Sequence, residues 1–120
     1  MLKLSAWMLL ALGLAHVVFG LVRYRVPLAE VLADGFVGQF KASELRRSAF
    51  WFIIFGPLLM AAGHAAIHAV AVGDIALFRL IACYALATSL IGLAAFPMSP
   101  FIAAVGVALL LMASGYGWLG

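Results

Sequence analysis

From Phe101 to Leu119 the chain runs without a charged residue, and three similar apolar stretches precede it at 4–22, 49–71 and 75–95, the last carrying only Arg79. A helix needs about 20 such residues to cross the hydrocarbon core of a bilayer. Each stretch has that length, so the pattern predicts four transmembrane helices in a single membrane domain over residues 1–120. Composition agrees. The chain is 68% hydrophobic and 9% charged, with a mean hydropathy of +1.26, whereas soluble domains average roughly 45–50% apolar and 25% charged. A soluble fold is excluded on this ground, and four spans leave no room for a separate catalytic domain.

The connections define an all-α membrane protein of two antiparallel hairpins. Gly73-Asp74 reads as the turn after the second span, and Asp74 as the cap of the third, accepting from free backbone N–H groups. Ser43 reads as the cap of the second span. Pro97 and Pro100 break the chain before the fourth, because proline lacks the amide donor a continuing helix needs. The opening Met1-Leu2-Lys3 resembles a signal peptide, but its apolar run exceeds the usual ~7–15 residues and lacks a small-x-small cleavage site, so it reads as the first span.

Charge sets the expected orientation. Arg23, Arg25, Lys41, Arg46 and Arg47 crowd the first connection, against Lys3 and Arg79 on the other side. Basic residues favour the cytoplasm, which places both termini outside. The net charge of +3 is thereby a topology signal and not a nucleic-acid footprint. Trp7, Tyr116 and Trp118 fall at the outer interface and Tyr24 and Trp51 at the inner, as amphipathic aromatics do. Within the first connection, Leu28, Val31, Leu32, Phe36 and Phe40 recur at helical spacing behind Pro27. They predict a short cytoplasmic interfacial helix over 26–40. Gly35 and Gly38 are its weak points, and a re-entrant turn is the rival reading.

In lipid, close backbone approach at small residues drives helix packing. The expected packing stripes are Gly13, His16 and Gly20; Pro57, Ala61, His64 and His68; Arg79, Ala82, Ala85, Ser89 and Gly92; and Ala103, Gly106, Ala113 and Gly117.

Few residues offer chemistry. His64 and His68 lie four apart on one helical face, a spacing compatible with shared metal binding, but zinc wants three or four ligands. The remaining histidine, His16, lies at a different depth, so no metal site is assigned. His16 reads as a structural polar residue satisfied by a hydroxyl or by the Ile53 carbonyl that Pro57 leaves without a donor. Arg79 is costly within a span unless it snorkels, pairs or faces water. Its depth falls between those of His64 and His68, with Ser114 and Tyr116 approaching from the fourth span. These five residues are the candidate ligand-binding site, in an outward-facing polar pocket. The alternative is that Arg79 snorkels to headgroups. The lone Cys83 forms no intrachain disulfide and reads as a small hydrophobe. No phosphate loop, nucleophile elbow, paired-cysteine motif or triad is present. No carboxylate lies within a span, unlike the small multidrug-resistance transporters, which carry a membrane-embedded glutamate in their first span.

The run Ala15-His16-Val17-Val18-Phe19-Gly20, the pieces Pro27-Leu28-Ala29-Glu30 and Asp34-Gly35, and Ala49-Phe50-Trp51-Phe52 followed by Phe55-Gly56-Pro57-Leu58-Leu59 together resemble a bacterial family of small four-helix membrane proteins known only as a domain of unknown function. The resemblance is closest over the first half of the chain. It implies a bacterial inner-membrane protein and brings no activity, cofactor or catalytic residue.

The expected function is that of a small non-enzymatic tetraspan protein, binding a lipophilic or amphiphilic small molecule or serving as an accessory subunit. Its partners are the lipid bilayer, further copies of itself or a larger membrane complex, and no nucleic acid. An enzyme acting on a membrane-dissolved substrate through histidine and arginine chemistry is the alternative, and small-molecule transport the third reading.

Overall fold

The computed structural model describes residues 1–97 and 101–118, and among them every regular element is helical. In chain order these are α1 (Leu2–Arg23), α2 (Arg25–Ala33), a 3-10 turn (Gln39–Ala42), α3 (Glu44–Val72), α4 (Ile75–Ala95) and α5 (Phe101–Gly115). α1, α3 and α4 are long and apolar enough to cross a membrane. α5, at 15 residues, extends only ~22 Å at 1.5 Å per residue, against a hydrocarbon core of ~30 Å.

The helix limits have local causes. The Ser43 hydroxyl accepts from Arg46 N–H at 3.1 Å, and the Asp74 carboxylate accepts from Leu77 N–H at 3.0 Å. Both caps follow the sequence reading. Three helices then end in one backbone device. After α3, Asp74 N–H reaches the Ala69 carbonyl and Gly73 N–H the Val70 carbonyl; Phe36 and Gly35 do the same after α2, and Trp118 and Gly117 after α5. This is the Schellman arrangement, in which a left-handed residue turns the chain back onto the last carbonyls.

Two expectations need correction at these caps. The interfacial helix over 26–40 ends at Ala33, because Gly35 takes a left-handed φ of 102° and Phe36 follows at 67°. The expected fourth span to 119 is helical only to Gly115, because Gly117, at φ 73°, caps the helix and so is not one of its packing residues. Pro100 and Leu119, at the edges of that expected span, lie outside the described residues.

α1 packs on α3 at backbone distance. A Cβ at Gly63 would lie 2.4 Å from Leu10 N, and one at Gly13 would lie 2.6 Å from Met60 N. At the other end of α1, Gly20 sits against Phe52 and Ile53. Rising numbers in α1 thus meet falling numbers in α3, so the two helices run in opposite directions. α4 and α5 do likewise, with Gly92 against Phe101 and Gly115 against Phe78.

The stripe expected on α3 was rotated by about one residue. Its buried positions are Ala49, Gly56, Gly63, Ala66 and Ala69, while Pro57, Ala61, His64 and His68 are exposed. On α5, Ala103 and Gly106 are likewise exposed, and burial falls to Ala108, Leu111, Ser114 and Gly115. The α4 stripe is placed as expected, with Ala82 and Ser89 buried.

The core common to all four long helices is built from Ala6, Leu9, Ala66, Ala69, Phe78, Ala82 and Leu111. It occupies the end of the bundle where the α3–α4 turn lies. Beyond it, the buried residues Gly13, Gly20 and Gly56 serve the α1–α3 pair.

Candidate functional site

Arg79 enters from the second turn of α4 and reaches α5. Its Nε donates to the carbonyl of Gly115 at 2.7 Å, and its guanidinium carbon lies 4.7 Å from the centre of the Tyr116 ring. Gly115 ends α5, where carbonyls lack intrahelical donors. The arginine therefore satisfies one such group and places positive charge at the negative end of the helix dipole. The ring adds a cation–π contact, which operates within about 6 Å. Arginine has five N–H donors. Nε is committed here, and among the described residues no bond is seen from the two terminal amino groups.

Cys83, one helical turn after Arg79, is exposed and has its Sγ 3.9 Å from both Tyr116 Oη and Met112 Sδ. Ser114 is buried, and its hydroxyl has no hydrogen-bond partner among the described residues. Arg79, Tyr116 and Ser114 thus fall within one region where α4 meets the end of α5.

His64 and His68 are not drawn into this cluster. Both are exposed on α3, and neither forms a hydrogen bond among the described residues. Two concavities lie elsewhere. One is an open apolar groove along α1 beside Leu14, Val18 and Val22, and the other a recess of about 100 Å³ beneath the α3–α4 turn at Asp74 and Phe78. The five-residue pocket of the sequence reading is therefore divided into an arginine–tyrosine cluster on α4 and α5 and a histidine pair on the open face of α3.

His16 takes the structural role expected of it through a different carbonyl. Its Nε2 lies 2.7 Å from the Phe52 oxygen, where the Ile53 carbonyl had been expected. A carbonyl only accepts, so Nε2 carries the proton. The imidazole also stacks on the Phe52 ring, with centroids 4.1 Å apart, and meets Phe55 edge-on at 5.6 Å.

Arg46 was read only as a topology charge, yet it organises the first connection. Its Nη2 lies 2.8 Å from Asp34 and 3.4 Å from Glu30, and its Nη1 is 3.4 Å from the Gln39 carbonyl. Asp34, foremost, holds the guanidinium above its usual pKa. The signal in the sequence was Glu30 and Asp34 four apart, on α2 and at its C-cap, where both can face one cation. Arg47 reinforces the fold-back by donating to the Lys41 carbonyl at 2.9 Å. Among the described residues no group of three or more metal-ligating side chains occurs.

Among the described residues every regular element is helical, and three helices are long and apolar enough to cross a membrane, which is compatible with a membrane protein. Residues 1–118 match the family of unknown function DUF6463, and the chain belongs to that family. No match is found among curated proteins or among solved structures.

Proposed function

We propose that the protein is a four-span, non-enzymatic component of a bacterial inner membrane that binds an anionic amphiphile at Arg79 and Tyr116, alone or as an accessory subunit of a larger assembly. In this reading α5, with the turn after it, makes the fourth crossing, and α1/α3 and α4/α5 are its two hairpins. The termini lie outside, and α2 lies along the cytoplasmic leaflet where Arg23, Arg25, Lys41 and Arg47 meet anionic headgroups.

The observation that carries the binding role is the way Arg79 is held. One edge is fixed by the Gly115 carbonyl and one face by Tyr116. The side chain is thereby pre-ordered, and its terminal amino groups, which bond to none of the described residues, can grip a phosphate or carboxylate in the bidentate manner arginine favours. The ligand's apolar part would lie along α4 and α5. The enzyme and transport readings draw no comparable support, since among the described residues His64 and His68 make no hydrogen bond that would orient them for proton transfer.

The test is native mass spectrometry of detergent-extracted protein titrated with a phosphatidylglycerol and, separately, a phosphatidylcholine. Selective retention of the anionic lipid is expected, lost in Arg79→Leu and partly kept in Arg79→Lys, where a point charge remains without the fork. Equal retention by wild type and Arg79→Leu would remove the proposal.

A further inference from the structure

The exposed face of α3 has a pattern that contact with lipid alone does not require. Ile54, Pro57, Ala61, His64, His68 and Ala71 are all exposed, and they follow one another at alternating intervals of three and four residues. That spacing traces one continuous face of the helix, the geometry that a seam between two helices at a small left-handed crossing angle also uses. Ala61 and Ala71 are small enough to let a second backbone approach.

The histidines supply the second observation. By helical rise, His64 lies ~12 Å inside the Val72 end of α3 and His68 ~6 Å. If α3 crosses the bilayer, as the functional reading above holds, an imidazole at His64 would face hydrocarbon with both ring nitrogens unpaired. Such a polar group is costly in lipid and belongs against a partner. His16, with a carbonyl at 2.7 Å, illustrates the satisfied state.

We infer that a second copy of this chain covers the seam, α3 against α3, about a two-fold axis along the membrane normal. Three arguments select this occupant. All copies insert with the same charge-determined orientation, so like helices at a shared face run parallel and equal depths meet. A neutral imidazole has one donor and one acceptor, so two that face each other across the axis can pair, one donating and the other accepting, with the proton alone departing from the two-fold symmetry. The carboxylates Glu30, Asp34, Glu44 and Asp74 all lie outside the apolar stretches, Arg79 and Tyr116 are engaged with each other on α4 and after α5, and on the matching face of a second α3 the polar side chains at the depth of His64 and His68 are the same two histidines.

The pairing is read by oxidative cross-linking in phosphatidylcholine vesicles, in a Cys83→Ala background. Ala61→Cys should yield a covalent dimer, and Leu80→Cys, on the exposed side of α4, should not. No cross-link at Ala61→Cys, or equal yields at both, would overturn the inference. Ala61→Trp should lower dimer yield at least tenfold in native mass spectra while its helicity and melting stay those of wild type, because the position is exposed; an undiminished dimer would overturn it. The double variant His64→Leu, His68→Leu should weaken pairing several-fold, and unchanged pairing would overturn the role of the imidazoles. Resistance of the protein to alkaline carbonate extraction reads membrane crossing separately. Arg79→Leu is expected to lose the anionic lipid and keep the dimer, so failure of the ligand proposal is distinguishable from failure of this one.

Discussion

His16 and Phe52 are joined twice, through a 2.7 Å contact from the imidazole to the backbone carbonyl and through ring stacking at 4.1 Å. The two residues fasten α1 to α3 in the half of the bundle that the common core does not reach. Gly20 beside them leaves room for the Phe52 ring.

His16→Leu should therefore destabilise the protein by about 1–2 kcal/mol, combining one hydrogen bond between membrane helices with an aromatic contact. Reversible unfolding in mixed micelles measures it. A variant as stable as wild type would show that the bond contributes nothing net.

The glycines divide into two classes. Gly63→Ala would set a methyl 2.4 Å from the Leu10 backbone nitrogen, which is not free to rotate away, whereas Gly106 has nothing within 4 Å of a new Cβ. Gly63→Ala should cost about 1–3 kcal/mol as α1 and α3 are forced apart. Gly106→Ala should be neutral or stabilising by up to about 1 kcal/mol, through helix propensity. Equal effects in the same unfolding assay would contradict the close helix contact.

Much of the fold could be read directly from the residues. The apolar runs located α1, α3 and α4, and Ser43 and Asp74 cap their helices as their chemistry demands. The face of α3 was less legible, because that helix is apolar all round and small residues lie on both sides. Ala61 and Ala66 look alike in sequence, and only contact with Leu10, Gly13 and Val17 of α1 selects the Gly56–Gly63 side. The cap at Gly117 was overlooked because glycine in a small-residue stripe and glycine at a helix stop are the same letter, whereas Gly35 was already marked as a weak point of the helix that stops before it. At the candidate site, depth alone grouped His64 and His68 with Arg79, Ser114 and Tyr116; in the structure the last three gather where α4 meets the end of α5, while the histidines lie exposed on α3, because depth says nothing about azimuth.

Arg46→Met should free the segment from Asp34 to Ala42. Amide exchange there should quicken by at least tenfold, while exchange in the α1–α3 contact stays slow. Arg46 itself introduces no pH dependence in the physiological range. Its pKa is raised by Asp34, so its contribution is complete below its ordinary value and is lost only as pH climbs through the raised one. Unchanged exchange at Val37 and Gly38 would mean that the ion pairs do not hold the loop.

The orientation is checked by cysteine labelling. In a Cys83→Ala background, Lys41→Cys should resist a membrane-impermeant maleimide in intact cells and react after permeabilisation, as the basic first connection requires. Reaction in intact cells would reverse the topology.

The common core, gathered from Leu9, Ala66, Phe78 and Leu111 at one end, makes the bundle a pair of tongs. One pair of helices is riveted to the other near the α3–α4 turn, and toward the opposite end each pair is held mainly by its own contacts. Local opening costs least where fewest apolar contacts must break. Separation therefore begins at the far tips, beside Phe19 and Phe101, and a small rotation at the rivet is magnified into a wide displacement there.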